Sequence, residues 1–441
     1  MRGFLASSIG VTCAAALALP LTLPAAAVPA KAPARAAQPT SGARSAPTAA
    51  GPDLPGSTQS LPLAPTTRDR TLGAAPEQGL TRDDVHRFSL VGVTWTDPDT
   101  ELRGLVQVRT RATGTGEWSG WQDVDTHNED HGADPGTAER DSGHVHGSTA
   151  PLWVGDSDAV DVRVRADRGA TRAGGDQMSA LPSGLHLELV DPGAEPPAPA
   201  AGARPTARRA AVLLAATELP ALSRAATERE AVTMYGRSQP YIGPRPRIIT
   251  RRGWGADEKL REKGYVYTKK VKAVFVHHTA SGNNYSCSQA PSVIRGIYRY
   301  HVRSSGWRDI GYNFLVDKCG NIYEGRAGGV AKPVLGAHTL GFNTNSMGIA
   351  VLGTFGTAKP SSAAVTAIAR LAAWKLGLYG VNPRGKTYLK SGGGNLYRKG
   401  KNVRLNAISG HRDGFATECP GRQLYGKLGS ARSTSARFQG R

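Results

Sequence analysis

No apolar run in this chain of 441 residues is long enough to span a bilayer. The stretch through Val11 to Leu23 is too short and is interrupted by Pro20. Behind Met1-Arg2 and ahead of Ala25-Ala26-Ala27, it reads instead as a secretory signal peptide over residues 1–27. Other export signals lack their marks: Arg2 alone makes no twin-arginine motif, and Cys13 has no small residue just before it for lipidation. An exported, soluble protein is expected.

His-Glu-x-x-His is missing as well. That excludes the common zinc-protease helix together with its glutamate base. Acidic residues are scarce in the second part of the chain. From residue 246 onward there are 32 Lys and Arg against 8 Asp and Glu, while the remainder carries 23 against 27. A basic surface can mean nucleic acid, but export argues against that partner. A bacterial wall, with anionic phosphate polymers and peptide carboxylates, fits better; a solvated basic surface without a specific partner is the plain alternative. No internal repeat is apparent.

What is present falls into blocks. Residues 28–82 are rich in Ala, Pro, Ser, Thr and Gly, with almost no bulky apolar side chains. Such a segment cannot bury enough surface to offset chain entropy, so a disordered linker is expected. From Phe88 apolar and polar residues alternate, in 89–95, 104–111, 159–164 and 185–190, at the period of half-buried strands. The expectation is a small antiparallel β-sandwich domain over 83–194, of unknown role. Trp118, Trp121 and Trp153 can stack on a sugar or simply pack in core and rim. His127, His131, His144 and His146 share a loop with Asp125, Glu129 and Asp130; they can hold a metal, but a solvated insertion is the reading adopted. Residues 195–245 return to Ala, Pro and Arg as a second linker, weakly helical over Ala210 to Ala226.

Chemistry concentrates further on. The stretch His411-Arg412-Asp413-Gly414-Phe415-Ala416-Thr417-Glu418-Cys419-Pro420-Gly421 sets a histidine and a cysteine eight residues apart. Pro420 suits the first position of a helix, which would put Cys419 at the positive helix end, where a thiolate is favoured. Imidazole and thiolate are zinc ligands in need of a third. Val274-Phe275-Val276-His277-His278-Thr279 offers one on a buried strand. Side chains alternate along a strand, so His277 and His278 cannot both serve one metal, and periodicity does not choose between them. Around these lie a helix over Ala290 to Arg303, a hairpin through Asp317-Lys318-Cys319-Gly320-Asn321, a strand over Ser346 to Gly353 and a helix over Ser361 to Leu378. Alternating strands and helices predict an α/β domain over 246–430, with a central mixed β-sheet flanked by helices, followed by a basic tail over 431–441.

Five stretches occur in an order that resembles the peptidoglycan recognition protein family, the type 2 N-acetylmuramoyl-L-alanine amidases. They are Val-Phe-Val-His-His-Thr-Ala (274–280), Gly-Trp-Arg-Asp-Ile-Gly-Tyr-Asn-Phe-Leu-Val (306–316), Tyr-Glu-Gly-Arg (323–326), Gly-Ala-His with Gly-Phe-Asn (336–343), and the His-Arg-Asp to Cys-Pro-Gly stretch (410–421). The resemblance covers about 246–428 and says nothing of residues 28–245. It implies Zn2+ held by His277, His411 and Cys419, and Tyr312 directed at the water on the metal. It also implies substrate contacts from Thr279, His338 and Asn343. Thr417, counted with Tyr312 among the catalytic residues, stands where phage members carry a lysine, which leaves open how the tetrahedral oxyanion is stabilised. Three protein ligands leave one position open, the pattern of catalytic zinc. Removal of the leader leaves Cys287, Cys319 and Cys419, an odd number in an oxidising compartment. If Cys287 pairs with Cys319, a metal-bound thiolate explains why Cys419 persists. The activity implied is hydrolysis of the muramoyl–alanine amide in the wall. A peptidoglycan-binding receptor of the same fold without catalysis is the alternative, and loss of the zinc cysteine would favour it.

Overall fold

The computed structural model describes residues 56–66, 76–170, 176–194, 216–236 and 240–441. The expected signal peptide, and the expected linkers over 28–55 and 195–215, lie outside the described residues. Among those described, no helix is long and apolar enough to cross a membrane.

The N-terminal domain is an antiparallel β-sandwich. Its main strands are β1 (Ser57–Pro62), β2 (Glu77–Arg82), β3 (Phe88–Trp95), β4 (Gly104–Ala112), β5 (Leu152–Ala166) and β6 (His186–Asp191). β5 is long enough to serve both layers: it pairs with β3 at its start and with β2 and β4 along the rest. Val91, Val93, Val106, Val108, Val162, Val164, Leu187 and Leu189 point inward and are fully buried or nearly so. Two expected boundaries need correction. β1 pairs with β6 and β2 with β5, so parts of 57–82 are sheet and not linker. Their few apolar residues are supplemented by backbone hydrogen bonds to strands already buried.

The C-terminal domain has a seven-stranded mixed sheet. Its strands are β7 (Glu218–Leu219), β8 (Ile248–Ile249), β9 (Ala273–His278), β10 (Phe314–Val316), β11 (Ile322–Glu324), β12 (Ser346–Val351) and, after a separate hairpin of β13 (Lys386–Lys390) and β14 (Asn402–Asn406), β15 (Ile408–Gly410). The spatial order is β7-β8-β11-β10-β12-β9-β15. β9 lies between β12 and β15, parallel to both. Helices cover the two faces: α2 (Ala290–Arg299) on one, and α3 (Ser362–Leu378) with α5 (Leu428–Gln439) on the other. The Ser361 hydroxyl accepts from the Ala364 amide at 3.0 Å, an N-cap typically contributing about 1 kcal/mol. α2 continues as a π-turn over Tyr300–Ser304.

Two further expectations are revised. Within 216–245, β7 pairs with β8, and Leu219, Ala231 of α1 (Arg224–Tyr235) and Ile242 join the core. The basic tail is helix α5, whose Leu428, Ala431, Ser435, Ala436 and Gln439 are buried. Small and polar residues build its inner face after Leu428, so the hydropathy pattern is faint although the face is buried.

The two domains share a core. Leu90, Trp153 and Val190 of the sandwich pack with Val293, Ile294 and Ile297 of α2. The Tyr300 hydroxyl donates to the Thr149 carbonyl at 3.1 Å, and a Cβ at Gly92 would collide with that tyrosine, so glycine permits the approach. Glu188 is buried and accepts from Ser60, Thr94 and Ser304. Trp153 is therefore core. Trp118 and Trp121 lie under the guanidinium groups of Arg109 and Arg163, at 5.3, 5.0 and 4.1 Å from centroid to cation.

Candidate metal centre

Register places the first two site residues. Val276 on β9 pairs with Gly410 on β15, so His277 and His411 leave neighbouring parallel strands side by side, their ring centroids 4.4 Å apart. Along β9, Val274 and Val276 face α3 and α5, while Phe275 and His277 face the opposite side. The loop after His411 folds back, with the Arg412 amide donating to the Cys419 carbonyl at 3.0 Å. This brings the Cys419 sulfur to 3.9 Å from His277 Nδ1. Helix α4 (Arg422–Tyr425) starts only after Gly421, and the Cys419–Pro420 peptide is cis. Pro420 therefore does not open a helix, and no helix end lies at the sulfur. The loop conformation alone delivers Cys419.

A fourth group joins them. His131, on the long loop between β4 and β5 of the sandwich, has a ligand atom within 4.8 Å of those of His277, His411 and Cys419, and all four residues are buried. Its ring lies 4.6 Å from His411 and 5.7 Å from Tyr312. Reading this loop as a solvated insertion is corrected here. Its polar side chains are matched to the other domain: Asp134 accepts from the Gly341 amide and the Asn343 side chain, and Glu139 from Arg326. His144 and His146, by contrast, are exposed.

The hydrogen bonds leave the right atoms free for a metal. His277 Nε2 meets His338 Nδ1 at 3.2 Å, and His338 Nε2 in turn meets Ser346 at 3.2 Å. His131 Nδ1 is fixed by Asp130 at 2.6 Å, and His411 Nε2 by the Asp130 carbonyl at 3.1 Å. His131 Nε2 and His411 Nδ1 are buried without a hydrogen-bond partner, which a buried polar atom rarely tolerates. Ligand histidines held by an outer partner in this way are the rule at metal sites.

The electrostatics agree. Burial first, then the neighbouring histidines, pushes His277 well below its usual pKa; burial likewise brings His411 to about 3, against the pull of Asp130. Both are neutral, ligand-ready imidazoles at neutral pH. Burial, helped by Asp130, pushes the Cys419 thiol well up. A thiolate there needs a cation, and nitrogen and sulfur donors in this number suit zinc. The residues fit the ion that the sequence resemblance implies.

The other expected site residues fall into two groups. Tyr312, 4% exposed, stands beside His277 with ring centroids 5.6 Å apart. Thr417 accepts from the Cys419 amide at 3.1 Å, and Thr279 accepts from the Gly353 amide at 3.0 Å. A cavity of about 180 Å³ lies against Tyr312, Thr279, Thr417 and Cys419 on one side and His131 and Asn128 on the other. His338 lies behind His277, fully buried. Asn343 is also buried, its side-chain oxygen accepting from the His338 amide and its NH2 donating to Gly132 and Asp134. Neither faces the cavity. Sequence reasoning did not place His131 and Asp130; the histidine-rich acidic loop was the visible signal, but nothing local says where it docks.

Cys287 and Cys319 form a disulfide, with Cα atoms 6.2 Å apart. Cys419 is the free, buried cysteine.

The family model for N-acetylmuramoyl-L-alanine amidase matches residues 267–422, and one described as Rv3811 N-terminal galactose-binding domain-like matches 43–200. Peptidoglycan-recognition protein SC2 of Drosophila melanogaster is 32% identical over 186 residues, 41% of this chain and 84% of that protein. Peptidoglycan recognition protein 3 of Homo sapiens is 36% identical over 122 residues, 28% of this chain and 34% of that protein. The solved structure of wild-type Drosophila PGRP-LB aligns at 27% identity with a TM-score of 0.33, covering 42% of this chain and 92% of its own. The chain belongs to the peptidoglycan recognition protein and type 2 amidase family.

Proposed function

We propose that this protein is a secreted, zinc-dependent amidase that hydrolyses the bond between N-acetylmuramic acid and L-alanine in bacterial peptidoglycan. The observation that carries the reading is the convergence of His277, His411 and Cys419 beside Tyr312. A receptor that only binds wall fragments has no use for a buried cysteine gathered with two buried histidines. The basic second half and the leader-like start suit work at an anionic cell wall.

When bound, zinc supplies polarisation of the amide carbonyl and activation of a water. The rest falls to side chains. His338 and Asp130 fix the rings of His277 and His411, so the ligand atoms are set before the metal arrives. Burial, with Cys419 and Asp130 adding to it, holds the Tyr312 phenol well above its usual pKa. Tyr312 thus keeps its proton and can donate to the oxygen on which charge develops. Thr417 holds the Cys419 amide through its hydroxyl, which steadies the sulfur.

Digestion of purified sacculi, read by mass spectrometry of the products, tests the proposal. Free muramic acid lactyl ends and new L-alanine amino termini, lost on chelation and restored by Zn2+, are expected. Binding to sacculi without new ends would leave the receptor reading in its place.

A further inference from the structure

The same four-residue cluster carries a second conclusion, which rests on the zinc reading above. Hydrolysis at a zinc site needs a coordination position open to water, and a set of four protein ligands is the mark of a closed site. His131 supplies such a fourth ligand from the other domain. Its Nε2 is buried and without a hydrogen-bond partner, its Nδ1 is locked by Asp130, and the side chain is 6% exposed.

The loop that delivers it is docked, not loosely draped. The Asp130 carbonyl accepts from the Leu340 amide at 2.9 Å, and the Gly132 amide donates to the Ala337 carbonyl at 3.2 Å. Asp134 accepts from Asn343 at 2.6 Å and from the Gly341 amide at 2.8 Å. Glu139 and Arg326 form a two-bond ion pair, both bonds 2.8 Å. These contacts occupy polar groups on the rim of the metal centre, and the cavity that remains has one wall made of the same loop.

We propose that His131 is the fourth protein ligand of the metal and that the loop Asp125–Glu139 holds the amidase in a closed, latent state. The loop must swing out before a muramoyl peptide reaches the metal. The sandwich domain is then a regulator of the site, not an appended module.

The test uses the full chain loaded with Co2+ in place of zinc, and azide as a small exogenous ligand. The wild-type visible spectrum should not respond to azide, because four protein groups surround the ion. In His131→Ala the bands should shift and become azide-sensitive, and turnover on sacculi should rise at least tenfold. Asp134→Ala keeps all four ligands but loosens the loop; it should give a partial azide response and a smaller gain in turnover, and it serves if His131→Ala melts at too low a temperature to assay. One equivalent of Co2+ with an azide-sensitive spectrum in the wild type, or equal turnover in wild type and His131→Ala, overturns the latency and leaves the zinc site standing. Failure of both chains to bind Co2+ overturns the zinc reading as well.

Discussion

Arg326 donates two parallel hydrogen bonds of 2.8 Å to Glu139, a residue 187 positions earlier in the chain, and both side chains are nearly sealed from solvent. This pair joins the loop of the sandwich to the Tyr-Glu-Gly-Arg stretch of the amidase domain. Arg326 also donates to the carbonyls of Ile310 and Asp309, so the contact is tied to the segment that carries Tyr312. Loop docking and site geometry are mechanically linked.

Removing one partner of a buried ion pair strands the other. Glu139→Ala should lower stability by on the order of 3 kcal/mol, and the loop around it should gain cleavage sites in limited proteolysis that the wild type lacks. Denaturant unfolding and mapping of the early cleavage sites check both. An unchanged midpoint with an uncut loop would mean that the pair does not hold the domains together.

On the proposed zinc reading, Cys419 is the soft ligand in the set. Cys419→Ser keeps the size of the side chain but removes the sulfur that a thiolate ligand provides. Zinc content should fall well below one per chain, and release of L-alanine amino termini from sacculi should fall with it. Full zinc and full rate in this variant would show that the histidines bind without it.

The amidase half is legible in the sequence because its signals are local. Apolar runs mark β9 and β12, a 3.6-residue period marks α2, and the histidines and cysteine sit in short recognisable stretches. Even the choice between His277 and His278, open to periodicity, follows from strand register once Val276 is seen beside Gly410. What was not legible is long-range. The strands over 57–62 and 77–82 carry too few large apolar residues to announce themselves and exist through pairing with distant strands. The docking of His131 depends on Asp134, Glu139, Asn343 and Arg326 matching across about two hundred residues, and no window of sequence contains that match.

The disulfide gives a prediction about stability rather than chemistry. Cys287 and Cys319 are 32 residues apart; closing a loop of that size contributes roughly 3–4 kcal/mol in the chain-entropy model. The double variant Cys287→Ala/Cys319→Ala should lose about that much, while zinc stoichiometry stays at one. A matching loss of zinc would instead tie the disulfide to the metal centre.

Lys375 sets a pH dependence. It is buried in α3, donates to the carbonyls of Val330 and Lys332, and burial lowers its pKa to about 7, with Glu324 opposing. In the unfolded chain the ammonium keeps its ordinary value of about 10.4. Below about pH 7 both states carry the proton and the folded state bears the full cost of the buried charge. Between that value and the unfolded one, the unfolded state binds more protons, so stability rises with pH. Urea midpoints of wild type and Lys375→Met at pH 6.5 and 9.5 check this: the difference should move in favour of the wild type at the higher pH. A gap that does not change would mean that the lysine is charged in the fold throughout.

Tyr312 separates an enzyme from a receptor most cleanly. Its ring packs beside His277, His131 and His301, and Phe preserves that packing. If the hydroxyl acts only as a donor to the developing oxyanion, Tyr312→Phe leaves zinc content, melting temperature and sacculus binding as they were. Turnover then falls by a factor on the order of 10²–10³, the loss typical of one such donor. A tyrosine needed only for packing gives the opposite pattern, with rate and stability falling together or neither falling. Because the wild type is expected to be latent, the comparison is made twice, in the wild-type background and with His131→Ala. The ratio of rates should be the same in both, since loop opening precedes the step at which Tyr312 acts. An unchanged kcat in the open background would remove Tyr312 from the reacting atoms.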